Sequence, residues 1–97
     1  MAKAAKVECL NPTTGGRINI DKNIYDVLLK AITKTLHGGK ELTYTEVMDG
    51  VKKYIKTNKI DFTGSVEWYG ITVKKDLEAR GVIEVFEERG RKLNRLK

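Results

Sequence analysis

Few side chains in this sequence are of the types that carry out covalent chemistry, and their spacing does not bring them together. Cys9 and His37 are the single cysteine and the single histidine of the 97 residues. His37 stands next to the glycines that end a predicted helix, where it would interact with the helix carboxyl end, and Cys9 lies on a predicted strand. Because a catalytic nucleophile needs a base within hydrogen-bonding reach, we predict that the protein is not an enzyme.

The carboxylates do not form a metal site in the sequence pattern either. They are spread along the chain without a second group of ligands, and a lone cysteine excludes a thiolate zinc site. No glycine pattern matches a phosphate-binding loop. A chain of 97 residues builds one modest core without a deep cavity. We therefore predict no metal, no cofactor and no small-molecule substrate.

Charge is the feature that most clearly suggests a partner. Nineteen Lys and Arg against thirteen Asp and Glu give a formal net charge of +6. An acidic partner, with double-stranded DNA as the first candidate, is therefore expected. The excess lies in two stretches, 52–59 and 89–97, and the second contains five basic residues and no acidic one. A charged, solvated surface without a partner is the alternative interpretation.

Hydrophobic periodicity predicts the elements that position these cations. Alternating residues predict a β-hairpin over 6–20, and the 3.6-residue period predicts three helices within 22–80. Asp21, Thr43 and Ser65 are the predicted N-caps, Thr43 with Glu46 as a capping box. Gly50, inside the second helix, is expected to permit close packing of a neighbour. A final hairpin over 82–97, with a turn at 87–90, completes a single domain over 1–97.

Three helices followed by a β-hairpin are the α+β arrangement of the winged helix, a variant of the helix-turn-helix. The run 73–84 resembles the end of the recognition helix and the first wing strand of winged-helix proteins. More narrowly, the sequence resembles a family of small uncharacterised bacterial proteins in Cys9-Leu10-Asn11-Pro12, Tyr25, Ala31-Ile32, Trp68-Tyr69, Thr72-Val73-Lys74 and Asp76-Leu77-Glu78-Ala79-Arg80-Gly81. This resemblance implies a winged-helix domain but no particular role. Lys75 departs from the family pattern, in which we expect an apolar residue.

A winged helix would contact nucleic acid through phosphates and base edges. The predicted contacts to phosphate come from the second helix and the wing, and those nearest the bases come from the third helix. The third helix is neutral over 66–80, which weakens the case for base reading, and we expect Trp68 to be buried. The predicted nucleic-acid-binding residues are Lys52, Lys53, Lys56, Thr72, Lys74, Lys75, Arg89, Arg91, Lys92 and Arg95.

Two functions therefore stay open. The first is a nucleic-acid-binding module, such as a transcriptional regulator, which predicts a continuous positive face from the second helix to the wing. The second is a protein-interaction or dimerisation module that does not bind DNA. A homodimer would bury Val7, Ile18 and Ile20 in part between subunits. The lone cysteine, which cannot form an intramolecular disulfide, predicts a protein of the reducing cytoplasm. No apolar segment resembles a signal peptide or a membrane span, so we expect neither secretion by that route nor a transmembrane protein.

Overall fold

The computed structural model describes residues 6–62 and 64–97, and these residues form a mixed α+β fold. The described part contains three helices and two two-stranded antiparallel sheets. The elements in chain order are β1 (Lys6–Leu10), β2 (Arg17–Asp21), α1 (Lys22–Leu36), α2 (Tyr44–Thr57), α3 (Val66–Ala79), β3 (Ile83–Glu88) and β4 (Arg91–Leu96). Both predicted hairpins and all three predicted helices are present. Residues 1–5 of the predicted domain lie outside the described residues.

The first hairpin is part of the core. Its strands pair from Lys6 opposite Asp21 to Leu10 opposite Arg17. Cys9 and Ile20 point inward and are only 2% and 4% exposed. Ile20 is thus buried within one protomer, so its burial needs no second subunit, contrary to what the dimerisation hypothesis assumed. The strands pack against α1 and α3.

The helix starts follow from local capping in two of three cases. The Thr43 side chain accepts from the Glu46 backbone N–H, and the Glu46 carboxylate accepts from the Thr43 N–H, as predicted. Ser65 caps α3 by accepting from the Trp68 N–H. Asp21 stands at the N-cap of α1 but makes no side-chain cap. Its carboxylate instead accepts from Lys6 Nζ at 2.7 Å across the hairpin, so this predicted cap is wrong.

The three helices enclose the apolar core. Leu28, Ile32 and Leu36 of α1 are fully buried against residues of α2 and α3, including Val51 and Leu77. Gly50 faces the Thr35 side chain so closely that a Cβ at position 50 would collide with it. The prediction that this glycine permits close packing is confirmed, and the neighbour is α1.

The second hairpin has a tighter turn than the sequence predicted. β3 continues through Glu88, and Arg89 and Gly90 alone turn the chain with φ angles of 52° and 77°. Two left-handed residues form the turn that matches strand twist in hairpins. β4 also pairs with the segment before α2: Leu42 N donates to Asn94 O at 3.0 Å, and Asn94 N donates to Leu42 O at 2.7 Å. This bridge connects the hairpin to the helical core.

Candidate functional site

Asp76 connects α3 to the first hairpin and to α1. It is fully buried, and its carboxylate accepts from Leu10 N at 2.9 Å and from Tyr25 Oη at 2.6 Å. Arg80 Nε contributes bonds of 3.0 and 2.9 Å to the two carboxylate oxygens, and its Nη2 reaches Glu8 O at 3.0 Å. In the sequence pattern Asp76 is only one of several dispersed acids. In the fold it holds together three elements, in an arrangement called here the Asp76 network.

The titratable groups beside Asp76 are not activated for chemistry. Burial, and next the negative charge of Asp76, raise the pKa of Cys9 to about 11. Burial and the hydrogen bond to Asp76 also raise the pKa of Tyr25. Since the thiolate is the reactive form of cysteine, a raised thiol pKa makes Cys9 a poor nucleophile at neutral pH. The Asp76 network is therefore a structural feature of the hairpin junction.

The residues of α3 assigned to base contacts are placed differently from the expectation. Lys74 is only 7% exposed, and its Nζ lies 2.8 Å from Glu78 Oε2. Lys74 therefore cannot approach a base from its present position, and it is withdrawn from the candidate contacts. Trp68, which we expected to be buried, is 48% exposed. Thr72 and Lys75 are half-buried beside it.

The first hairpin limits access to the face of α3 that carries Trp68, Thr72 and Lys75. The loop between β1 and β2 and the outer face of α3 enclose a cleft of about 320 Å³. It is lined by Cys9, Leu10, Asn11, Thr14, Gly16, Arg17, Ile18, Trp68, Ile71, Thr72 and Lys75. The surface that a winged helix would place in a major groove is therefore one wall of a cleft, here called the hairpin cleft.

The predicted lysines of α2 divide into two groups. Lys52 Nζ lies 2.7 Å from Glu67 Oε1 on α3, and this contact raises the pKa of Lys52 and lowers that of Glu67. Lys53 and Lys56 are exposed, and neither makes an ion pair within the described part of the chain. Lys52 therefore connects two helices, whereas Lys53 and Lys56 present their charges to solvent.

The second hairpin (β3 and β4), predicted to be a wing and here given that label, is less basic in the fold than its linear sequence indicates. The register places Arg91, Lys92 and Arg95 of β4 directly opposite Glu88, Glu87 and Glu84 of β3. Arg95 bonds Glu84 at 3.0 Å and Glu41 at 3.1 Å, and its guanidinium lies 4.4 Å from the Phe86 ring centre. Arg91 lies 3.9 Å from Glu46. The basic residues of β4, which have no acidic neighbour in the sequence, thus lie opposite the glutamates of β3 in the fold.

A second basic surface escaped the sequence analysis. The carboxyl-terminal parts of α1 and α2 flank an open groove of about 680 Å³, here called the α1–α2 groove. It is lined by Lys30, Thr33, Lys34, His37, Lys40, Tyr54, Asn58 and Leu96, with no carboxylate among them. The signal was available as Lys30 and Lys34, one helical turn apart. The acids elsewhere in 21–50 cancel these lysines in the net charge of the segment, and that sum does not show which residues share a helix face.

The described residues contain no group of three or more side chains suited to hold a metal ion. No helix within them has the length and apolar character to cross a membrane.

The model of one protein family, described as a family of unknown function (DUF6958), matches residues 6–93. No curated protein and no solved structure matches the chain.

Proposed function

The chain belongs to the DUF6958 family, whose description assigns no activity, and from its own residues we propose that it is a winged-helix module that binds nucleic-acid phosphates. The contacts are made by exposed cations of α2 and of the wing, and α3 contributes little base reading. The four cations proposed to carry the interaction are Lys53, Lys56, Arg89 and Lys92. Each is exposed and makes no ion pair within 6–62 and 64–97.

The connection of the second hairpin supports the winged-helix assignment. In a winged helix the wing must be fastened to the helical core so that it extends beside the helices. The bridge between Leu42 and Asn94 has this effect, since it joins β4 to the segment between α1 and α2. Asn94 is 2% exposed and its Nδ2 also donates to Leu42 O at 3.1 Å.

The observation that carries the proposal is the approach of the wing to α2. Arg91 reaches Glu46 on the first turn of α2. Lys53 lies seven residues further along, which places it on the same helix face, about 10 Å away along the helix axis. Lys53 and the basic residues at the start of β4 therefore lie on neighbouring surfaces, as contacts to successive phosphates require. Glu46 and Asp49 interrupt this surface, so it is not uniformly positive.

This arrangement favours contacts to the backbone over contacts to bases. Phosphate contacts position a protein on a duplex without reading its sequence. On α3, Lys75 lies in the hairpin cleft, and Lys74 is buried and paired with Glu78. The proposed binding is therefore strongly salt-dependent and weakly sequence-specific.

Fluorescence anisotropy of a mixed-sequence duplex, titrated at several salt concentrations, tests the proposal. The variant carrying Lys53→Gln and Lys56→Gln loses two phosphate contacts. We expect it to lower affinity and to reduce the slope of log K against log salt by about two. Arg89→Gln with Lys92→Gln is expected to have a similar effect through the wing.

The α1–α2 groove supplies the matched control. Lys30→Gln with Lys34→Gln removes the same number of charges from a different surface and should change the slope much less. An equal loss in all three variants would mean that binding responds only to net charge, which contradicts the proposed interface. A loss of duplex affinity only in the control variant would show that the duplex binds at the α1–α2 groove instead. No binding by the unmodified protein at low salt would refute nucleic-acid binding.

The alternative proposal is a protein-interaction or homodimerisation module. Its support is the exposure of Ile18 and Trp68 on neighbouring elements, at 44% and 48%. Light scattering on the same samples distinguishes the two proposals. A dimeric mass without duplex binding would favour the alternative, whereas a monomeric mass with salt-dependent binding would favour the phosphate-binding module.

A further inference from the structure

We propose that the hairpin cleft binds a small amphipathic anion, with an apolar body of a few carbons and one carboxylate. The apolar body packs on Trp68, Ile71 and Ile18, and the carboxylate is held by Arg17 and Lys75. The site is distinct from the proposed phosphate-binding surface, because none of the four cations assigned to that surface lines the cleft. It would exist even if the protein bound no nucleic acid.

The apolar wall is the first observation behind this site. Ile18 on β2 and Trp68 on α3 are large hydrophobic residues with nearly half of their surface exposed, and both line the same cleft. Ile71, one turn after Trp68, is half-buried next to them. Exposed apolar surface that converges from two elements commonly marks a place where a ligand or partner is bound. Covering it with an apolar group is favourable because that surface leaves water.

The charge of the cleft is the second observation. Arg17 and Lys75 line it, and no aspartate or glutamate among residues 6–62 and 64–97 does so. Arg17 has one ion pair, with Glu8 at 3.4 Å, in which both side chains are more than half exposed. Such exposed pairs contribute little and exchange easily. An anionic group is therefore the complement of this cleft, and the Asn11 and Thr14 side chains add polar atoms at its rim.

Size and rigidity identify a small molecule as the occupant. The volume of about 320 Å³ is at the lower end of the range for small-molecule sites. Both walls are fixed before a ligand arrives, because Leu10 N and Glu8 O are bonded to Asp76 and Arg80 of α3. A preformed site avoids the cost of ordering a loop on binding.

Titration with octanoate tests the site directly. Trp68 is the single tryptophan of the chain, so its emission reports on the cleft without labelling. We expect saturable change of the emission, together with amide shifts in the ¹H–¹⁵N spectrum confined to the hairpin loop and the first half of α3. Octanamide, with the same chain and no charge, should bind at least about tenfold more weakly, because it loses the charged contacts to both Arg17 and Lys75.

Two substitutions separate the charge from the apolar wall. Lys75→Gln and Arg17→Gln should each weaken octanoate binding by about three- to tenfold and leave octanamide binding unchanged. Lys30→Gln, in the α1–α2 groove, is the matched control and should have no effect, because Lys30 does not line the hairpin cleft. Circular dichroism verifies that each variant is folded.

Three results would overturn the proposal. The first is Trp68 emission that stays unchanged at every octanoate concentration below the micelle concentration. The second is equal binding of octanoate and octanamide, which would reduce the site to an apolar patch. The third is a concentration-dependent dimer by light scattering in which Trp68 is already shielded, because a second copy would then occupy the cleft.

Discussion

The Asp76 network and the wing use the same kinds of side chain for opposite purposes. At the network, a fully buried carboxylate receives hydrogen bonds from a backbone amide, a tyrosine hydroxyl and a guanidinium. On the wing, Arg95 and Glu84 are both about 40% exposed although they lie 3.0 Å apart. Buried charge is costly unless every partner is present, whereas exposed pairs are screened by water.

This difference indicates which parts of the molecule are free to bind. The hydrogen-bonding groups around Asp76 are bonded to one another. The Asp76 network therefore holds the first hairpin on α3 and is not available for a ligand. The ion pairs of the wing can open at little cost, so phosphates can compete for Arg91 and Arg95, and Lys92 makes no ion pair within the described residues. The network thus fixes the walls of the hairpin cleft, and the wing remains an adaptable surface.

Asp76→Ala is expected to give the largest effect. It leaves Tyr25 Oη and Leu10 N without their acceptor inside the protein, and it removes the partner of Arg80. The free energy of unfolding should fall by about 3 kcal/mol or more. Urea denaturation followed by circular dichroism measures this change. A loss below about 1 kcal/mol would place the network in the same class as the wing pairs.

Alkaline pH should weaken the same region. Burial raises the pKa of Cys9 from 9.0 to about 11 and also raises that of Tyr25, so the folded state holds both protons more tightly than the unfolded chain. Stability from Cys9 is complete below pH 9 and is lost as pH rises toward 11, whereas stability from Tyr25 starts to fall only above pH 10. Urea denaturation at pH 8 and 10.5 should show a larger drop for the unmodified protein than for Cys9→Ala with Tyr25→Phe. Equal drops would contradict this linkage.

Arg95→Gln should have the smallest effect on stability. It removes the bonds to Glu84 and Glu41 and the contact over Phe86. Since the arginine side chain is 40% exposed, the free energy of unfolding should change by less than about 1 kcal/mol. Thermal unfolding beside Asp76→Ala provides the comparison. A loss approaching that of Asp76→Ala would show that the wing is a rigid part of the fold.

The helices and strands were predictable because their signals are local. The apolar period of α1, the Thr43 and Glu46 capping box and the Ser65 cap each depend on residues within a few positions of one another. The Asp76 network was not predictable in this way. Its partners Tyr25 and Leu10 lie 51 and 66 residues away, and nothing near Asp76 in sequence indicates them.

The candidate site shows the same division. Sequence alone identified the exposed lysines Lys53 and Lys56, since a helix face can be read from periodicity. It was wrong about Trp68, because burial depends on how closely the hairpin covers α3. It overestimated the charge of the wing, because only the strand register places Glu84, Glu87 and Glu88 opposite the basic strand.

The elements, their order, two of the three N-caps and the basic character of the chain could be predicted from the sequence, because these depend on periodicity, short-range hydrogen bonds and composition. Tertiary structure alone decided which charges are neutralised, that Asp76 is buried, and that the hairpin and α3 enclose a cleft containing Trp68. These properties arise from contacts between residues far apart in the chain. Their energies depend on burial and distance, and neither quantity exists until the elements pack together.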